Sequence, residues 1–96
     1  MIDNEFVVKT AKGREMIYAP LMPYEEYQIY NLFDVLPNER AAQMLLTASS
    51  VRCIDGVEYT IPRSRDEAEH RIEVISDDGF KAIWVDIRAR IGANKD

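Results

Sequence analysis

The 96-residue chain predicts a single small α+β domain, with two β-hairpins and about four helices in the order ββ-αα-ββ-αα. Three observations lead there. Two stretches rich in β-branched and aromatic residues, each broken by a turn signal, stand at the start and in the middle of the chain. Each is followed by segments whose apolar residues recur at helical spacing. A hydrophobic fraction of 47% beside 30% charged residues suits one globular core spanning residues 1–96, with little room for a second.

Residues 5–10 (Glu-Phe-Val-Val-Lys-Thr) read as a first strand, residues 11–14 as a turn and residues 15–19 as its partner strand. With an even-numbered turn loop, Phe6, Val8 and Ile17 share one face, and Val7, Met16 and Tyr18 the other. Both faces are apolar, so cover is expected on both sides, from helices, from a partner, or from both. Pro20 and Pro23 bracket a connector, and Pro23 suits the first turn of a helix, where its missing N–H costs nothing. Glu25 and Glu26 then complement the helix dipole. This helix is expected to reach Phe33 or Leu36, with Ile29, Leu32, Phe33 and Leu36 on one stripe. Tyr24, Tyr27 and Tyr30 lie on a neighbouring stripe. Pro37-Asn38-Glu39-Arg40 turns a sharp corner and restarts a helix that ends near Ser49-Ser50.

Asp55-Gly56 between two apolar runs is the strongest hairpin signal in the chain, since a type I′ turn needs positive φ at both central residues. That register sets Ile54, Val57, Tyr59 and Ile61 on a core face, with Cys53, Glu58 and Thr60 opposite. Pro62 ends the strand. Ser64 and Glu67 form a capping box for a helix from Arg65 to about Ile75, with Ala68, Ile72 and Ile75 on one side. Ser76-Asp77-Asp78-Gly79 breaks it, and either Asp caps the next helix. The last helix carries Phe80, Ile83, Trp84, Ile87 and Ile91 at i, i+3, i+4, i+7 and i+11, a stripe expected to be core at Phe80 and Trp84. Gly92 is its predicted C-terminal cap, and residues 93–96 are expected to fray.

The net charge is −5. Residues 1–48 hold 4 Lys and Arg against 7 Asp and Glu, and residues 49–96 hold 8 against 10, so both halves are mildly acidic. The best basic group, Arg63, Arg65 and Arg71, is interleaved with Asp66, Glu67, Glu69 and Glu73. A phosphate-neutralising patch is therefore not expected, and neither is a nucleic-acid partner. No apolar run approaches the ~18–20 residues of a membrane span. Residues 1–5 show no basic or apolar region of a secretory signal. A lone Cys53 supplies no disulfide, which points to a reducing, cytoplasmic setting, with self-association as one source of added stability.

The chain offers little to catalysis. His70 is the only histidine and has no nucleophile among its helical neighbours Glu67 and Glu73. Cys53 lies in a strand beside a tight turn, where an inert half-buried thiol is the usual case. One Cys and one His fall short of a zinc ligand set. The paired acids Glu25/Glu26 and Asp77/Asp78 stand at helix starts, and the glycines at 13, 56, 79 and 92 at turns or caps. No enzyme, metal or cofactor is expected. Function should lie in contacts, with Tyr24, Tyr27, Tyr30, Val7, Met16 and Tyr18 as the candidate partner-binding residues.

One stretch, Ala48-Ser49-Ser50-Val51-Arg52-Cys53-Ile54-Asp55-Gly56-Val57, followed by Ser76-Asp77-Asp78-Gly79-Phe80 and an amphipathic helix to Gly92, resembles the tail assembly chaperones of tailed phages. Gly13-Arg14-Glu15-Met16-Ile17-Tyr18 and Leu21 match their opening hairpin more loosely. The resemblance implies a cytoplasmic, non-catalytic phage or prophage chaperone of the tail or baseplate, holding a tape measure-like client. Two alternatives stand beside it, a small inhibitor of a host nucleic-acid enzyme, acting partly through its acidic surface, and a structural subunit of the particle.

Overall fold

Turn chemistry sets the registers from which the fold is built. In the computed structural model, which describes residues 5–33 and 38–93, the Thr10 N–H donates to the Arg14 carbonyl at 2.9 Å. The Arg14 N–H in turn donates to the Thr10 hydroxyl at 3.0 Å. Thr10 and Arg14 are thus a closing pair, and the loop is the three residues Ala11, Lys12 and Gly13, with Gly13 at φ 89°. An odd loop reverses the expected facing. In β1 (Phe6–Lys9) and β2 (Glu15–Tyr18), Phe6 lies opposite Tyr18, Val7 opposite Ile17 and Val8 opposite Met16. Phe6, Val8, Met16 and Tyr18 therefore share one face, and Val7 joins Ile17 on the other. The assignment of Met16 and Tyr18 to Val7's face is corrected by this single-residue difference in loop length.

The second hairpin has the predicted turn, Asp55 at φ 49° and Gly56 at φ 87°. Its strands are β3 (Val51–Ile54) and β4 (Val57–Glu58), paired Ile54 to Val57 and Cys53 to Glu58 as expected. β4 is shorter than predicted, so Val57 shares the face of Ile54 but stands exposed at the sheet edge. Both hairpins join through β2 and β3 into one antiparallel sheet of order β1-β2-β3-β4. A bulge leaves Arg52 as the extra residue, since Ile17 faces Cys53 while Tyr18 faces Val51. The Asp55 carboxylate and backbone N–H tie the second turn to the backbone of Glu15.

Helix α1 (Pro23–Tyr30) starts as predicted at Pro23, with the Glu25 carboxylate accepting from the Met22 N–H at 2.7 Å. It stops earlier than expected; Leu32 and Phe33 follow in a turn, and Leu36 and the Pro37 corner lie outside the described residues. Helix α2 (Glu39–Ser50) is capped by Asn38, whose Oδ1 accepts from the Ala41 N–H at 2.8 Å, and it runs straight into β3.

The predicted last two helices form one element, α3 (Arg65–Ala93). Ser64 accepts from the Glu67 N–H at 3.1 Å, but the Glu67 carboxylate reaches back to the N–H of Arg63 instead of Ser64. The expected four-residue break contracts to a kink at Ser76, at φ 59° and ψ 176°. Among the described residues the element order is accordingly ββ-αα-ββ-α, with three helices in an α+β domain. Gly79 and Gly92 both lie within α3, so Gly92 does not cap it, and residues 94–96 of the predicted tail lie outside the described residues.

One face of the sheet packs under α3 and α2. Val8, Met16, Tyr18, Val51 and Ile54 from the strands meet Ala48, Ile75, Phe80 and Ile83 from the helices. A smaller cluster of Ile29, Leu45 and Ala68 holds α1 against α2 and the start of α3. No described helix is long and apolar enough to cross a membrane.

Candidate functional site

The arm of α3 beyond its kink is longer than the strands against which it packs. Strands of four residues span roughly 13 Å, whereas the arm of α3 beyond the kink extends roughly 25 Å. Its apolar stripe is consumed progressively. Phe80 and Ile83 are buried, Trp84 and Ile87 half-buried, and Ile91, at 61% exposure, is beyond the reach of the core.

Leu46 and Thr47 of α2 and Ile87 and Ile91 of α3 form the common floor of two adjoining depressions, of about 580 and 570 Å³. The first opens toward the sheet and is walled by Phe6, Tyr18, Pro20 and Leu21, with Glu26 of α1 on its border. The second runs along Trp84, Gln43, Arg40 and Arg88. Together they make an apolar groove between two helices. Its lining includes Arg40, Arg88 and Arg90 against the one carboxylate of Glu26, the reverse of the chain's overall charge.

Three polar contacts fix the walls. The Trp84 indole N–H donates to the Thr47 hydroxyl at 3.1 Å, and its ring lies 5.3 Å from that of Phe80. On the sheet side the Tyr18 hydroxyl donates to Asp86 at 2.7 Å, while Arg90 donates to the same carboxylate at 2.8 Å and stacks 3.8 Å over the Phe6 ring. Phe6 and Tyr18 are themselves 5.5 Å apart, centroid to centroid. Burial first, and then the hydrogen bond to Asp86, push the Tyr18 phenol up to about 12.

This shift has a definite sign. A folded-state value above the ordinary value of about 10 means that the contribution of Tyr18 to stability is complete below pH 10. That contribution is lost as the pH climbs through about 12. Ultraviolet titration of phenolate formation should therefore show one late step near pH 12, and Tyr18→Phe should remove that step.

The predicted contact residues divide into three groups. Tyr24, Tyr27 and Tyr30 project from α1 into solvent, Tyr27 most of all at 68% exposure. Val7, at 57% exposure, sits on the outer face of the sheet in a row with Ile17, Cys53 and Glu58. Met16 and Tyr18 belong to the core and present almost no surface, because the three-residue loop turns them under α3. Leu46, Ile87 and Ile91 were legible only as core stripes. The signal of the groove was a stripe reaching i+11, longer than four-residue strands can cover.

Elsewhere, His70 is exposed beside Glu73, and Cys53 is a half-buried free thiol. Arg71 of the basic group is buried with its guanidinium 4.7 Å over the Tyr59 ring, and burial lowers its proton affinity below the usual arginine range. Among the described residues no three His, Cys, Asp or Glu side chains are grouped to hold a metal ion. Comparison of the chain with family models, curated proteins and solved structures finds no match in any of the three.

Proposed function

We propose that the chain is a non-catalytic assembly chaperone that holds a long helical protein client of the tape measure kind. Its setting is the host cytoplasm, during assembly of a phage or prophage tail or baseplate. The observation that supports binding is the exposure of Ile91, at the end of the α3 stripe, beside Leu46, Thr47 and Ile87. An apolar trough between two helices suits an amphipathic helix that lays its own apolar stripe into it. The partner is a protein, since such a floor rewards apolar side chains and offers no plane of cations to a phosphate backbone. The phage setting rests on the resemblance of residues 48–57 and 76–80 to tail assembly chaperones. Tyr24 and Tyr27, on the helix that borders the groove through Glu26, supply a second contact zone.

The test is co-expression with a long helical tape measure protein of a tailed phage, followed by co-purification. Ile91→Glu should reduce recovery of the client more than tenfold while the melting temperature hardly moves, because exposed substitutions change stability by only about 0.5 kcal/mol. Full recovery of the client with folded Ile91→Glu would rule out the groove as the holding site. Tyr24→Ala with Tyr27→Ala should weaken recovery without abolishing it.

A further inference from the structure

The charge around the groove says which helices it takes. Arg90 is committed to Asp86 and to the face of Phe6. Arg40 and Arg88 stand along the second depression, both exposed, and among the described residues neither forms an ion pair. They come from different helices, α2 and α3, and so flank the floor. A chain of net charge −5 thus places, beside an apolar depression, two cations that form no ion pair among the described residues. We infer that the preferred occupant is an amphipathic helix whose apolar stripe is edged by Asp or Glu, with Arg40 and Arg88 selecting against helices edged by Lys or Arg. This inference rests on the groove being the client site, and it adds the chemistry of the client.

The discrimination comes from both signs. A carboxylate beside Arg40 or Arg88 gains a rim ion pair, modest for each exposed pair but additive over two. A lysine in the same place meets like charge. The acidic balance of the rest of the chain attracts basic helices at long range, so the local rim must oppose the general field. Salt therefore has a diagnostic effect. It should weaken the acidic complex and narrow the gap between the two helix types, because exposed charges are screened within about 10 Å at 0.1 M.

The probes are two synthetic helices of about 20 residues with one leucine stripe at i, i+3, i+4 and i+7, one edged by Glu and the other by Lys. Each is titrated into the intact chain and followed by methyl and indole NMR resonances. At low salt the Glu-edged helix should bind about tenfold tighter than the Lys-edged one. It should shift Leu46, Trp84, Ile87 and Ile91. The double variant Arg40→Glu with Arg88→Glu, at two exposed positions, should fold normally and reverse the preference.

Equal binding of both helices in the groove would overturn the charge inference and leave the groove as a client site. Binding of neither would overturn both. Concentration-dependent shifts of the same resonances without peptide, abolished by Ile91→Glu, would assign the groove to a second copy of this chain and also overturn the inference.

Discussion

Arg14→Ala should lower the folding free energy by about 3 kcal/mol, a large share of the ~5–15 kcal/mol that holds a small domain together. Ser76, at φ 59° and ψ 176°, occupies a region that almost only glycine visits, at a cost of about 1–3 kcal/mol. The carbonyls of Val74 and Ile75 lie directly before the kink. Arg14, at the head of the second strand, caps both, with Nη1 donating to Val74 at 2.9 Å and Nη2 to Ile75 at 2.6 Å. The same Nη2 reaches the Ser76 hydroxyl at 3.2 Å and lies 3.5 Å from Asp78 Oδ2. That oxygen is shielded from water and has no hydrogen-bond donor in range, and the Arg14 guanidinium is the cation beside it.

Truncation at Arg14 removes all these contacts at once, which is why the effect exceeds that of an ordinary surface arginine. Arg14→Lys should recover only part of the loss, since one ammonium cannot span two carbonyls and a carboxylate. Chemical denaturation of the three proteins measures both effects. A loss below about 1 kcal/mol in Arg14→Ala would mean that water replaces the guanidinium freely. The acid limb gives a second reading. The Thr10 hydroxyl first, then the Lys12 N–H and Arg14, hold the Asp78 carboxyl below the usual range. Its contribution is present above about pH 3.9 and lost as the pH falls through the lower folded value. Arg14→Ala should bring that loss to higher pH.

Where one residue type determines the backbone, the sequence was legible. Asp55-Gly56 produced the turn it demanded, Pro23 opened α1, and Ser64 capped α3. Register was harder to read, because it depends on whether Arg14 belongs to the loop or to its closing pair. That choice is made by two hydrogen bonds to Thr10, and it moved Met16 and Tyr18 from a presumed surface into the core. The α3 kink was legible in place but not in form. Four residues with turn character predicted a loop, yet Arg14, 62 positions earlier in sequence than Ser76, supplies donors that let the chain kink at one residue and resume. The groove was the least legible feature. It arises from the length of α3 against the length of the strands, a relation between elements that no single segment carries.

Gly79 looked like the breaker, and the structure gives it a packing role instead. A Cβ built there would lie 2.7 Å from Ile75 Cγ2 and 3.1 Å from Met16 Sδ, and both side chains are fully buried. Two effects oppose each other in Gly79→Ala. Helix propensity favours alanine by about 1 kcal/mol, whereas overpacking a filled core costs about 1–3 kcal/mol. The nearest atom decides the balance. Ile75 Cγ2 is a branch on Cβ, stiff in a helix and unable to swing clear as the tip of a methionine can. Gly79→Ala should therefore destabilise by about 1–2 kcal/mol, and Gly79→Val, with two more methyls in the same space, by about 3 kcal/mol or more.

Ile75→Leu removes the offending methyl and keeps the volume. In a double-mutant cycle it should restore about 1 kcal/mol to Gly79→Ala, a coupling that independent sites would not show. A stabilised Gly79→Ala would mean that Met16 and Ile75 yield and that propensity governs. The same spacing bears on binding. Gly79 lets the second arm of α3 settle onto Met16 of the sheet, and that arm carries Asp86, Ile87 and Arg90 to the Tyr18 wall of the groove. An arm pushed outward by one added carbon should lengthen the Tyr18–Asp86 contact and bring the late phenolate step down from about pH 12.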